Sequence, residues 1–242
     1  MGIIVAISGG ELTDFRSKLI NNEIIRLSQK RNPKVLFIPT ASDDSESYFE
    51  KFKEHFSDEF QCNFTPLYLI KDNPPLARLE QMVFTSDLIY VGGGNTLKMM
   101  QIWRKTGTAE ILRKAYTKGI VLSGLSAGAI CWFKYGSSDS RMFTNPNAGL
   151  IKVRGLNLVN ALFCPHYDTE ANRKPHLKEL MKKTPGIALA LDQYCAVVMV
   201  DNNFKLLSFK ENANGYQVYW KNGLYHEVIL EKNGQLIPFP SI

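Results

Sequence analysis

Near the middle of the chain stands Gly124-Leu125-Ser126-Ala127-Gly128, which has the order G-x-S-x-G of a nucleophile elbow. An apolar run, Ile120 to Leu122, precedes it, and Ala129 to Phe133 reads as the start of a helix. Such a chain reverses sharply at the serine, so its neighbours must be small. The turn lifts the hydroxyl clear of the backbone, where it can attack a carbonyl. The N–H of Ala127 is a natural donor to the oxyanion that then forms, and a helix starting here favours the same charge. The plainer alternative is a small-residue turn that packs a helix against a strand.

A serine nucleophile needs a base. Of the four histidines, His55 lies in a Phe-rich helical segment, His176 near a helix start and His226 in the carboxyl-terminal hairpin region. His166, in Cys164-Pro165-His166-Tyr167-Asp168, follows the apolar run Leu158 to Phe163, where a strand would emerge at a sheet edge. Imidazole there would take the serine proton and return it to a leaving amine. Three residues compete to orient it. Asp192 follows the apolar run Ile187 to Leu191, Asp168 lies two residues from His166, and Gln193 offers an amide. The order Ser, His, acid departs from that of the α/β-hydrolases, so the elbow does not place the chain in that fold.

Val91-Gly92-Gly93-Gly94-Asn95-Thr96 is a second glycine-rich turn. Its backbone N–H groups can face an anion. It is no dinucleotide fingerprint, since Leu97 stands where a third glycine belongs, and no Gly-Lys-Ser/Thr makes it a P-loop. A loop beside Ser126 at the carboxyl ends of the strands fits better. The plain reading is a strand-to-helix turn capped by Asn95 or Thr96.

The elements that must hold these loops are short apolar runs alternating with helical patterns. Strands are expected at Ile3–Ile7, Val35–Ile38, Phe64–Ile70, Asp87–Val91 and Ile120–Gly124, with helices between several of them. Continuous rather than alternating apolar strands indicate a sheet covered on both faces. The fold class expected is α/β, a doubly wound, mostly parallel sheet. The last third carries runs at 187–191, 196–200, 204–209 and 215–220, separated by Asp201-Asn202-Asn203 and Lys221-Asn222-Gly223. These read as antiparallel hairpins added to the sheet edge.

Composition narrows the rest. With 242 residues, 45% of them hydrophobic, one domain over 1–242 is the simplest organisation. The net charge of +6 is spread along the chain, which argues against nucleic acid as a partner. No run approaches a membrane span. Cys62, Cys131, Cys164 and Cys195 match no metal motif or disulfide framework, and buried free thiols in a reducing, cytoplasmic setting are expected. The aromatic carboxyl-terminal residues Tyr216, Tyr219, Trp220 and Tyr225 would serve a homodimer interface, though packing of the hairpins is the better account of them.

Together these residues resemble peptidase family S51, which includes aspartyl dipeptidase (peptidase E) and cyanophycinase. The resemblance rests on the glycine loop 91–96, on Gly124 to Ala129, on Pro165-His166-Tyr167 and on Ala190-Leu191-Asp192-Gln193, with support from Ser8-Gly9-Gly10 and Ile38-Pro39-Thr40. It implies a fold similar to class I glutamine amidotransferases and serine-dependent hydrolysis of small peptides without a metal or cofactor. It makes Ser126 the nucleophile, His166 the base, and Gly94 and Ala127 the oxyanion donors. The family's third member is a glutamate, and Gln193 stands at the matching position, so Asp192, Asp168 or Gln193 takes that place. Gly93, Asn95, Tyr167 and Arg173 are the candidate substrate contacts. Arg173 would hold the side chain of an amino-terminal Asp, or else is an ordinary exposed helix-start arginine. Two other readings remain open at this point: an esterase or amidase on a non-peptide substrate, and a degenerate homologue that only binds small ligands.

Overall fold

Strand residues of alternating parity bury into two different clusters, and this sets the layers. In the first strand Ile4 and Ala6 join one core while Ile3, Val5 and Ile7 join another on the opposite face. The computed structural model describes residues 2–11, 14–57, 61–232 and 234–240. The amino-terminal half runs β1 (Ile3–Ile7), α1 (Phe15–Leu27), β2 (Lys34–Ile38), α2 (Glu46–Ser57), β3 (Asn63–Pro66), α3 (Leu76–Phe84), β4 (Leu88–Val91), α4 (Thr96–Thr106), α5 (Thr108–Thr117) and β5 (Val121–Leu125). Then follow α6 (Ala127–Ile130), β6 (Phe133–Ser138), β7 (Ile151–Arg154), β8 (Val159–Cys164), α7 (Arg173–Lys182), β9 (Ala188–Leu191), β10 (Cys195–Val200), β11 (Asn203–Ser208), β12 (Gly215–Lys221), β13 (Leu224–Ile229) and β14 (Ile237–Pro238).

Two sheets result. The larger has the order β14-β11-β10-β1-β5-β4-β2-β3. Its members β1, β5, β4, β2 and β3 are parallel, and β10, β11 and β14 extend it antiparallel beyond β1. The smaller has the order β13-β12-β9-β8-β6-β7, with only β6, β8 and β9 parallel. One face of the large sheet is closed by α2, whose Phe49, Phe52 and Phe56 recur at helical spacing. Phe37 stacks on Phe52 with ring centroids 4.3 Å apart. On the other face Trp103 and Trp132 lie fully buried in the core that also takes residues of the second sheet. Each such burial stabilises the fold by about 1.5–3 kcal/mol.

The α/β class and the parallel strands match the sequence expectation. The hairpins do not all join one edge: β10 and β11 extend the large sheet, while β9, β12 and β13 build the second one with β8. The expected strand to Ile70 stops at Pro66, at the sheet edge where proline is tolerated. The helix expected through Phe133 lasts one turn, because Phe133 leaves it to stack on Phe163 of β8 at 4.7 Å.

Candidate active site

The elbow depends on glycines that let the backbone pack closer than any side chain would permit. Gly124 ends β5 so close to the next turn that a Cβ on it would lie 2.2 Å from the Gly128 carbonyl oxygen. A Cβ on Gly128 would lie 2.1 Å from the carbonyl oxygen of Val91. Both distances are impossible, so α6 packs on β4 and β5 only with glycine at these positions. Between them Ser126 adopts φ 53° and ψ −108°, a sparsely populated conformation for a residue with a Cβ. It is held there by its N–H, which donates to the Ile7 carbonyl at 2.9 Å. Its own carbonyl accepts from the N–H groups of Ala129 and Ile130, both at 2.9 Å. Because α6 has only four residues, its dipole adds little. The local donor, the Ala127 N–H, remains.

His166 approaches from the other sheet. Its Nε2 lies 2.8 Å from Ser126 Oγ. The residue has φ 55°, and its backbone N–H donates to Ser8 Oγ at 2.8 Å. Burial lowers its pKa below the ordinary value of 6.5, and the Arg173 guanidinium pushes in the same direction. Glu170, Asp139 and the Gln193 side chain act the opposite way and favour the imidazolium. An Nε2 that accepts the serine proton leaves the ring proton on Nδ1. Gln193 lies on that side: a Cβ on Gly9 would sit 2.6 Å from His166 Nδ1 and 1.9 Å from Gln193 Oε1. Gln193 Oε1 is buried beside the ring and has no hydrogen-bond partner among the described residues.

Asp192, the expected third member, and Asp168, one of its alternatives, make no hydrogen bond to the imidazole among the described residues. Asp192 faces away, accepting from Asn214 N–H at 2.8 Å and from the Tyr216 hydroxyl at 3.4 Å through Oδ2. Residues 192–195 form a turn, closed by the Cys195 N–H on the Asp192 carbonyl at 3.2 Å, which brings Gln193 to His166 while Asp192 stays on Asn214 and Tyr216. Asp168 accepts from the Gln193 backbone N–H at 2.8 Å and pairs with Lys210 at 3.5 Å. It therefore steadies Gln193 rather than the ring.

The glycine loop closes the opposite wall. A Cβ on Gly93 would sit 3.7 Å from Ser126 Cβ, so this backbone runs directly beside the nucleophile. The Gly93 N–H donates to the Tyr48 hydroxyl at 3.3 Å. Gly94 has φ 134°, and a Cβ there would lie 2.2 Å from the Ala41 carbonyl oxygen. The N–H groups of Gly94 and Ala127 have no acceptor among the described residues, as oxyanion donors require.

The other expected substrate contacts are engaged elsewhere. Asn95 caps α4, accepting from Lys98 N–H at 3.0 Å, and its amide donates to the Ser140 carbonyl at 3.2 Å. Tyr167 is buried in the second sheet's core, its hydroxyl donating to Glu227 at 2.7 Å. Arg173 is neither exposed nor free. It is 1% exposed, forks onto Glu170 at 2.8 and 3.2 Å, and donates to the Ser137 carbonyl at 2.7 Å. Its charge reaches the imidazole, but its donors are occupied. Sequence reasoning singled out neither Tyr48 nor Asp139. Asp139 carries a signal only through strand pairing: β6 runs parallel to β8 with Gly136 opposite Phe163, and three residues on from each stand Asp139 and His166. Among the described residues no group of three or more His, Cys, Asp or Glu is placed to hold a metal, and no helix is long and apolar enough to cross a membrane.

Comparison with known proteins places the chain among peptidases by family and fold. The pattern of Peptidase family S51 matches residues 4–207. An uncharacterized peptidase of Bacillus subtilis, YgaJ, is 36% identical over 219 residues, covering 89% of this chain and 91% of that one. Peptidase E of Nostoc is 24% identical over 188 residues, covering 73% of each. The crystal structure of a peptidase from an acI-B1 Actinobacterium superposes with a TM-score of 0.73 at 19% identity, covering 99% of this chain and 97% of that one.

Proposed function

Because this chain belongs to peptidase family S51, and so is a serine peptidase of the class I glutamine amidotransferase-like fold, we propose that Ser126 and His166 hydrolyse small peptides through an acyl-enzyme. The observation that carries this reading is the 2.8 Å contact between His166 Nε2 and the Ser126 hydroxyl on a strained elbow. Ser126 Oγ attacks the scissile carbonyl while His166 Nε2 takes its proton. The N–H groups of Gly94 and Ala127 receive the oxyanion. His166 then protonates the leaving amine, and a water deprotonated by the same ring releases the acyl group. Gln193 orients the ring as an amide. The charge that a carboxylate would supply to the imidazolium comes instead from Asp139 and Glu170 at longer range. Arg173, taken up by Glu170, does not select an amino-terminal Asp. The buried free thiols Cys131, Cys164 and Cys195 suit a reducing compartment, and we assign the enzyme to the cytoplasm.

A fluorophosphonate probe tests the pair. Wild type should be labelled, and Ser126→Ala and His166→Ala should not, with hydrolysis of a dipeptide panel following the same order. Burial of His166 places the acid limb of the pH profile below 6.5, since the base must be neutral to act. An unlabelled, folded wild type that still binds dipeptides would favour the degenerate ligand-binding reading, which Gln193 in place of a carboxylate supports.

A further inference from the structure

We propose that Ser8 is a positioning residue of the hydrolytic pair, its hydroxyl fixing His166 at the distance from Ser126 that proton transfer needs. This rests on the reading of Ser126 and His166 as nucleophile and base. The role follows from how β1 ends. The carbonyl of Ile7, its last residue, accepts the Ser126 N–H at 2.9 Å. Next in the chain, Ser8 ties its N–H and its hydroxyl to three distant segments. Its N–H donates to the Cys195 carbonyl at 2.9 Å, its hydroxyl donates to the Leu191 carbonyl at 2.7 Å, and the same oxygen accepts the His166 N–H at 2.8 Å. Gly9 then accepts the Tyr194 N–H at 3.0 Å, and its Cα lies against both Gln193 and the imidazole.

Nucleophile and base thus hang from the last residue of β1 and its immediate successor, although they come from different sheets. Little slack is left in that arrangement. Ser8 is fully buried, so water does not compete for its hydrogen bonds. His166 is held at φ 55°, a conformation that persists in a residue with a side chain only when its surroundings impose it. Its backbone N–H is anchored by the Ser8 oxygen. A hydroxyl is the smallest side-chain group that accepts from an N–H and donates to a carbonyl with one atom. Alanine does neither, and a thiol does both weakly.

The test compares Ser8→Ala, Ser8→Cys and Ser8→Thr by fluorophosphonate labelling rate, by kcat and KM on a cleaved dipeptide, and by thermal unfolding. Ser8→Ala should lower kcat and labelling by about 10–100-fold, as misplacement of a catalytic group does, with KM within about twofold. The acid limb should move up towards 6.5, because a released imidazole is less buried and easier to protonate. Ser8→Cys, close to serine in size, should show the same loss with a nearly unchanged unfolding temperature, and decides the matter where Ser8→Ala does not fold. Ser8→Thr, which keeps the hydroxyl, should recover most of the rate. Folded Ser8→Ala or Ser8→Cys with wild-type rate and limb would overturn the assignment, as would losses that merely track unfolding temperature. A wild type without labelling would instead sink the underlying Ser126–His166 reading.

Discussion

Around Ser126 the geometry is set by backbone atoms at contact distance, whereas around His166 it is set by hydrogen bonds between segments far apart in the chain. On the nucleophile side Gly124, Gly128 and Val91 leave no room for a Cβ. On the base side Ser8 and the Gln193–Asp168 contact link residues separated by up to 158 positions. A steric constraint leaves glycine in the sequence as its mark. A hydrogen bond between distant segments leaves only a serine, an asparagine or an aspartate, each with many other reasons to be present.

The steric side breaks most severely. Gly128→Ala would force its methyl to within 2.1 Å of the Val91 carbonyl oxygen, which belongs to the rigid β4. Displacing that backbone should cost roughly 3 kcal/mol, at the upper end of ordinary overpacking. For a chain of this length, that lowers the unfolding temperature by about 6–12 °C. Labelling of Ser126 should fall by at least about 100-fold, because the elbow tilts with α6. Calorimetry and labelling check both; a protein with unchanged values in each would show that the glycine is not the constraint.

On the base side the largest change should come from Gln193→Glu. The amide oxygen now beside the imidazole is buried and unpartnered. A carboxylate there would favour the imidazolium, raising the histidine pKa and moving the acid limb to higher pH. Above that limb kcat should rise about 10-fold, since the charge forms in the transition state and is then directly balanced. Unchanged kcat and an unmoved limb would mean that the introduced glutamate stays protonated or turns away from the ring.

This contrast also explains what the sequence disclosed. The parallel strands, the elbow, the glycine loop and His166 as the residue at the end of β8 are all readable, because apolar runs and glycines report backbone requirements. The choice among Asp192, Gln193 and Asp168 is not readable. It depends on how the turn after β9 presents residues 192 and 193, and Asp192 is held there by the Asn214 N–H and the Tyr216 hydroxyl, at the start of a strand whose pairing the sequence does not reveal. The burial of Arg173 is hidden for the same reason. It depends on β6 bringing the Ser137 carbonyl to the guanidinium, and β6 begins at Phe133, where the sequence reads as the start of a helix.

Asp192→Asn sharpens this assignment with a smaller effect. Asparagine keeps an oxygen for Asn214 and Tyr216, so labelling should stay within about threefold, and stability should change by about 1 kcal/mol or less. The sign varies with pH. Burial raises the Asp192 pKa in the fold, so the wild type loses stability as pH rises from the unfolded value through the folded one. Asparagine does not titrate, and the variant should compare worst with wild type in acid and best near neutrality. Denaturant titrations at several pH values check this. A large loss of labelling would return Asp192 to the imidazole.

The smallest effect expected is that of Asp139→Asn. Asp139 follows β6, level with His166 beyond the parallel β8, and its carboxylate raises the pKa of the buried imidazole. Removing that charge should lower the histidine pKa further, so the acid limb should move down. Well above the limb, kcat should stay within about twofold, because no hydrogen bond joins Asp139 to the ring among the described residues. A pH–rate profile of the variant beside wild type reads both quantities. A loss of about 100-fold at every pH would be a different result. It would mean that the carboxylate comes to the imidazole during turnover, so that Asp139 rather than the Gln193 amide orients the ring.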